Sequence, residues 1–197
     1  MAKEIQEGLA EPLTFSTDES TKRKKGAHKP VFAKVFVEDD VPYTQTNRVH
    51  LLVNPFAGKK KGREVAKKVI EAANKAGVEI TCSYSSYSGH LITMASALVV
   101  DENDLIAVVG GDGSFSEVLT GRMLLGKSEK ETFAIVPAGT GNSQAHDLGI
   151  NSVQEAIETM LTGKKQALDL ARVELTEGLP GATGDPCVRY SHNLVTW

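Results

Sequence analysis

Cysteine is almost missing from this chain: two in 197 residues, Cys82 and Cys187, far apart. That excludes a disulfide framework and a thiolate metal centre, and the pair reads as buried thiols in a reducing compartment. No stretch reaches the roughly 18 uninterrupted apolar residues of a membrane span. The polar, charged N-terminus lacks the apolar core of a secretory signal. One-sided charge is missing too. The 22 Lys and Arg stand against 25 Asp and Glu, a net −3, so bulk electrostatics give no case for a nucleic-acid partner. Together these absences point to a cytoplasmic protein whose membrane contact, if any, is peripheral. What is present is a 41% apolar fraction, enough for one ordinary core plus extensions.

Residues 1–47 read as a mostly disordered tail, poor in apolar residues. The basic cluster at Lys22–Lys25 suits a solvated linker, and also contact with anionic lipid or a targeting signal. Val31–Val37 is a possible short strand, ended by Glu38–Asp40 and Pro42.

Regular patterning starts at Arg48. Apolar runs at Val49–Val53, Val78–Cys82, Leu105–Val109 and Thr132–Val136 are strand-length. Helical stripes lie between or after them. Val65, Ala66, Val69, Ile70 and Ala73 form one, ended by Gly77; the others cover about 91–100, the segment after Gly113, and about 153–161. Asn54–Gly62 reads as a loop. This alternation predicts α/β architecture: a Rossmann-like parallel sheet with helices on both faces over 48–165. Ligands of such sheets bind at the carboxyl ends of the strands, where the loops beginning at Asn54, Gly110 and Pro137 all sit. After Gln166 the pattern changes. Ala167–Leu175 and Cys187–Val195 flank a loose Gly/Pro loop, as in an antiparallel hairpin. Residues 166–197 are expected to begin a β-rich domain that is cut off at Trp197.

The chemistry concentrates at Gly110–Ser114, Gly-Gly-Asp-Gly-Ser. A buried strand leads in, three glycines leave the backbone bare, and Phe115, Val118, Leu119 and Met123 recur at helical spacing, with Ser114 as the expected N-cap. Strand, bare turn and helix N-terminus together favour phosphate. The turn is not the dinucleotide fingerprint, because Ser116 occupies its third glycine position, and no Gly-Lys-Ser/Thr makes it a P-loop. Asp112 inside it would repel phosphates unless it takes a proton or reaches a metal. Pro137–Asn142 is a second glycine turn, offering Thr140 and Asn142. Glu117 lies one helical turn on, as a support for Asp112 or as a surface acid. His50 reads as a core-edge residue and His90 as a local hydrogen-bonding one. His146 and Asp147 complete no triad or zinc spacing, and no residue is assigned to a metal.

In order and spacing, Asn54-Pro-Phe-Ala-Gly-Lys59, Ser88-Gly-His90, Gly110–Gly121 and Pro137-Ala-Gly-Thr-Gly-Asn142 resemble the diacylglycerol kinase catalytic domain, and within it most the sphingosine and ceramide kinases. The resemblance implies transfer of phosphate from ATP, with Mg²⁺, to a lipid hydroxyl. It implies that Asn54 and Ser85 touch the nucleotide. Gly110, Gly111, Gly113 and Ser114 would cradle phosphates, and Thr140, Gly141 and Asn142 would line the nucleotide side. Asp112 would take the proton of the attacking hydroxyl, supported by Glu117. Ser85 and Ser114 stand where Thr is usual, and Phe56 where some relatives carry Arg. Asn193–Trp197 is similar to a strand leading to the lipid head group; the resemblance implies a second, β-sandwich domain beyond Trp197 that holds much of the lipid pocket, so this chain alone is expected to be inactive or nearly so. An NAD kinase-like phosphotransferase shares the glycine–acid turn but not the other motifs. A non-catalytic nucleotide- or lipid-binding module is the alternative from another class.

Overall fold

The computed structural model describes residues 46–126, 131–175 and 187–192. The expected tail, its strand at 31–37, the loop around Gly178 and the segment 193–197 lie outside the described residues. Four parallel strands form the main sheet: β1 (Arg48–Val53), β2 (Glu79–Tyr84), β3 (Asp104–Gly110) and β4 (Thr132–Pro137), in spatial order β2-β1-β3-β4. The continuous apolar runs fall on the two central strands. Every residue of β3 and all but the first of β1 is buried, as a strand covered on both faces requires. β2 is an edge strand and alternates exposed with half-buried residues.

Among the described residues six helices accompany the sheet: α1 (Ala57–Lys60), α2 (Gly62–Lys75), α3 (His90–Ala97), α4 (Asp112–Met123), α5 (Ser143–Asp147) and α6 (Val153–Thr162). The crossover from β1 to β2 runs one way across the sheet, and those from β2 to β3 and β3 to β4 run the other. Right-handed crossovers therefore put α2 on one face and α3 and α4 on the opposite one; α6 packs beside α2, and α3 beside α4. The expected helices on both faces are present. β5 (Ala171–Leu175) and β6 (Cys187–Ser191) pair antiparallel, as the alternation predicts, and β6 packs on α4. Among the described residues no helix is long and apolar enough to cross a membrane.

Several local expectations need correction. Ser114 does not cap α4. The chain is extended at Gly111, Asp112 is already helical, and Ser114 is a buried residue of the first turn. Asn54–Gly62 is not a plain loop. It contains the short α1, with left-handed backbone at Gly58, Lys59 and Lys60, and α2 begins at Gly62. The left-handed bend lays Gly58 against the carbonyl of Ala138, with no room for a Cβ. β2 extends to Tyr84, because Ser85 N–H still donates to Val53 O at 2.9 Å. α3 stops at Ala97 rather than near residue 100: Leu98 is extended, and Arg122 donates to the carbonyls of Ala95 and Leu98 at 2.8 and 2.9 Å. The five-residue α5, directly after the second glycine turn, has no periodic signal in the sequence. Cys82 is half-buried, not buried; burial pushes its thiol pKa up, against a lowering hydrogen bond with Tyr84.

Candidate active site

In the order β2-β1-β3-β4, the direction of strand succession reverses between β1 and β3, and open α/β sheets bind ligands at the carboxyl ends of the strands flanking such a switch point. Val53 pairs in register with both Tyr84 and Val109, and Gly110 with Pro137. Asn54, Ser85, Gly110 and Pro137 therefore stand at one level, at the carboxyl edge of the sheet.

The three loops lock together there. Asn54 Nδ2 donates to Ser114 Oγ at 3.0 Å, and Asn54 Oδ1 accepts the Phe56 N–H at 3.0 Å, joining the Asn-Pro loop to the first turn of α4. The two glycine turns meet backbone to backbone: a Cβ on Gly139 would lie 2.6 Å from Gly111 Cα. Gly110 has no room either, since its Cβ would lie 2.6 Å from Ser114 Oγ. Gly113 differs. It is exposed in the first turn of α4, and a Cβ there would meet nothing within 4 Å.

Asp112 opens α4 and reaches across to α5. Its Oδ1 accepts the Gln144 N–H at 2.9 Å and its Oδ2 the Ser143 N–H at 3.0 Å. These are orphan donors of the first turn of α5, so the carboxylate lies where two helix N-termini both favour negative charge. Asn142 does not offer its amide outward: Oδ1 accepts the Gly139 N–H at 2.8 Å and Nδ2 donates to Gly139 O at 2.9 Å, closing the turn from a left-handed backbone. Thr140 and Gly141 are exposed on that turn. Glu117 faces the β2–α3 loop, where its Oε1 accepts the Gly89 N–H at 3.0 Å. Ser85 is buried at the end of β2, next to the Asn54 strand.

A groove of about 490 Å³ lies between the α1–α2 segment and the β4–α5 turn, lined among others by Lys59, Lys61, Glu64, Lys68, Gly139 and Thr140. Asp112 and Gly113 do not line it. No group of three or more His, Cys, Asp or Glu able to hold a metal occurs among the described residues.

The three histidines the sequence weighed are local. His90 Nδ1 accepts the Ser86 N–H at 3.0 Å and its ring stacks on Tyr87. His146 Nδ1 lies 3.0 Å from Asn151 Oδ1. His50 sits at the opposite, amino end of the sheet, its Nε2 2.9 Å from Asp104 Oδ2, where it plays no part in the loop cluster. Sequence reading missed Ser143 and Gln144. The signal was their place directly after the second glycine turn, but backbone N–H donors carry no residue-type signature.

Residues 48–173 match the family described as "Diacylglycerol kinase catalytic domain". The diacylglycerol kinase of Bacillus subtilis is 28% identical over 128 residues, which are 64% of this chain and 42% of that protein. Sphingosine kinase B of Dictyostelium discoideum is 25% identical over 66% of this chain and 18% of its own length. The mitochondrial acylglycerol kinase of Xenopus laevis is 27% identical over 75% of this chain and 37% of its own. A crystal structure of a diacylglycerol kinase from Bacillus anthracis superposes with a TM-score of 0.51 and 25% identity, covering 66% of this chain and 46% of that one. This chain thus spans less than half the length of these relatives.

Proposed function

The chain belongs to the diacylglycerol kinase catalytic domain family, and from that premise we propose that it is the nucleotide-binding part of an ATP-dependent lipid kinase. The proposed acceptor is the primary hydroxyl of a sphingoid base, a ceramide or a diacylglycerol-like lipid. Gly113 is the observation that carries this reading. Gly110, Gly111 and Gly139 are bare because neighbouring backbone or side chains fill the space. At Gly113 nothing inside the protein forbids a side chain, and glycine in a helix is less stable than alanine by roughly 0.5–1 kcal/mol. A phosphate approaching the first-turn N–H groups of α4 accounts for that cost.

In this reading Asp112 is the base. Each of its oxygens accepts a backbone N–H, and as an ionised carboxylate it takes the proton of the attacking hydroxyl. The proton passes to the carboxylate as the hydroxyl oxygen bonds to the γ-phosphorus and the bond to the β-phosphate oxygen breaks. The same two bonds hold Asp112 in place, which is most of what phosphoryl transfer asks of a protein. Mg²⁺ carried on the phosphates would neutralise their charge. Gly110, Gly111, Ser114, Thr140 and Gly141 border the phosphates, with Asn54 and Ser85 on the nucleotide side. Asn142 and Glu117 act at one remove: the first shapes the turn, the second ties down the β2–α3 loop. Peripheral membrane contact suits the carboxyl edge, where Phe56 and Tyr87 are 61% and 62% exposed and Lys59–Lys61 follow. Residues 1–47 remain outside the kinase domain in this proposal, which spans 48–165. Residues 166–197 begin the β-rich, lipid-facing part, and phosphotransfer by this chain alone is expected to be weak or nil.

ATP–Mg²⁺ titrated into the 197-residue chain is expected to bind saturably, and to Asp112→Asn as well. In a form of the protein extended through the β-rich part, Asp112→Asn abolishes transfer to micellar sphingosine, ceramide and diacylglycerol. Absence of ATP binding by the wild type, or undiminished transfer by the variant, overturns the reading.

A further inference from the structure

β6 pairs with β5 along one edge and with a helix along the other. Tyr190 makes the second contact: its carbonyl accepts from Ser116 Oγ at 2.6 Å, and its N–H donates to Thr120 Oγ1 at 3.0 Å. Alternate residues of an antiparallel strand point both backbone groups away from the partner strand. Tyr190, opposite Arg172, is such a residue. An open strand edge ordinarily recruits another strand. Here two hydroxyls at i and i+4 on one helix face supply the donor and the acceptor that a strand would have supplied.

Helix packing gives these hydroxyls no other task. Phe115, Val118 and Leu119 belong to the apolar core. Gly121 lets α3 approach, since a Cβ there would meet the carbonyl of Ile92. Ser and Thr are poor mid-helix residues because their hydroxyls compete for backbone groups. In α4 they bind backbone, but that of β6, and Thr120 does so while fully buried.

We propose that Ser116 and Thr120 are positioning residues that clamp β6 to the helix opened by Asp112, so that the β-rich hairpin is placed by the element that carries the acid. The clamp begins one helical turn beyond Asp112. Resting on the nucleotide reading above, the further consequence is that ATP at the start of α4 steadies β6 through these two bonds.

Hydrogen exchange on the whole chain, with and without ATP–Mg²⁺, tests both parts. Thr120→Val keeps the side-chain shape and removes the acceptor. Combined with Ser116→Ala it is expected to speed exchange in β6 by about tenfold, on the scale of losing one or two net hydrogen bonds, with β1 and β3 unchanged. Ser116→Thr with Thr120→Ser, which keeps both hydroxyls, restores protection. Ser116→Ala alone, at a half-buried site, gives a smaller change of the same sign should the double variant not fold. Unchanged β6 exchange, or an equal rise in β1 and β3, overturns the clamp. If ATP protects the glycine-turn amides but leaves β6 unaltered in the wild type, the coupling is refuted. If ATP protects neither, the nucleotide reading is what fails, and the clamp is judged on the ligand-free comparison.

Discussion

Alanine at Gly113 pulls stability and nucleotide affinity in opposite directions. The position is exposed, helical and sterically open, with nothing within 4 Å of a new Cβ. The methyl group therefore meets no clash, and the unfolded chain loses conformational freedom. The expected gain is about 0.5–1 kcal/mol. For a chain of this size each kcal/mol moves the melting temperature by about 2–4 °C, so Tm should rise by about 1–4 °C. If a phosphate approaches the α4 N–H groups, the same methyl stands in its way, and ATP affinity should fall by about tenfold or more, roughly 1.4 kcal/mol. Differential scanning calorimetry reads the first number and isothermal titration with ATP–Mg²⁺ the second. A higher Tm with unchanged affinity would falsify the phosphate explanation of this glycine. A lower Tm would refute the steric reasoning itself.

Gly139→Ala should do the reverse, because its methyl meets the backbone of Gly111; the expected loss is about 1–3 kcal/mol, seen as a lower urea midpoint. Arg122 is 1% exposed and holds Glu131 through two hydrogen bonds besides capping the carbonyls of α3. Arg122→Met removes a buried guanidinium and strands the partly buried Glu131 carboxylate; it should cost about 3 kcal/mol, measured by denaturant unfolding, whereas a change under about 1 kcal/mol contradicts the ion-pair argument. The Asp104 carboxyl is pulled two ways. Burial pushes its pKa up, but hydrogen bonds from His50 and the Asp101 amide, with the charges of His50 and Arg48, prevail and hold it below the usual range. Its stabilising contribution is therefore present above the unfolded carboxyl pKa of about 3.9 and is lost as pH falls through the lower folded value. Unfolding midpoints at pH 6 and pH 3 should differ more in the wild type than in Asp104→Asn.

Order and type of the main elements could be read from the chain. Val49–Val53 and Leu105–Val109 are short apolar runs closed by polar or glycine loops, and the stripe from Val65 to Ala73 has helical period; each signal lies within one segment. Local chemistry also settled His90, whose partner Ser86 is four residues away. Ser114 looks like a cap in the sequence because capping preferences describe a residue facing its own helix, whereas this hydroxyl accepts from Asn54, sixty residues earlier. Arg122 raised no signal at all, since an arginine in a helix is ordinarily a surface residue.

The glycine turns show where the division falls. Composition and spacing alone marked Gly110–Ser114 and Pro137–Asn142 as places where the backbone is bare, because glycine's missing Cβ is a property of the residue. Which glycines serve packing and which leave open space was decided only by the fold. Gly111 and Gly139 are bare because two loops from different strands meet there, and Gly113 because nothing in the protein does. The same holds for Asp112, whose partners are backbone amides more than thirty positions away, and for Tyr190 on Ser116 and Thr120. Contacts between distant segments have no period along the chain, so they become visible only once the parallel register brings the loop ends to one level.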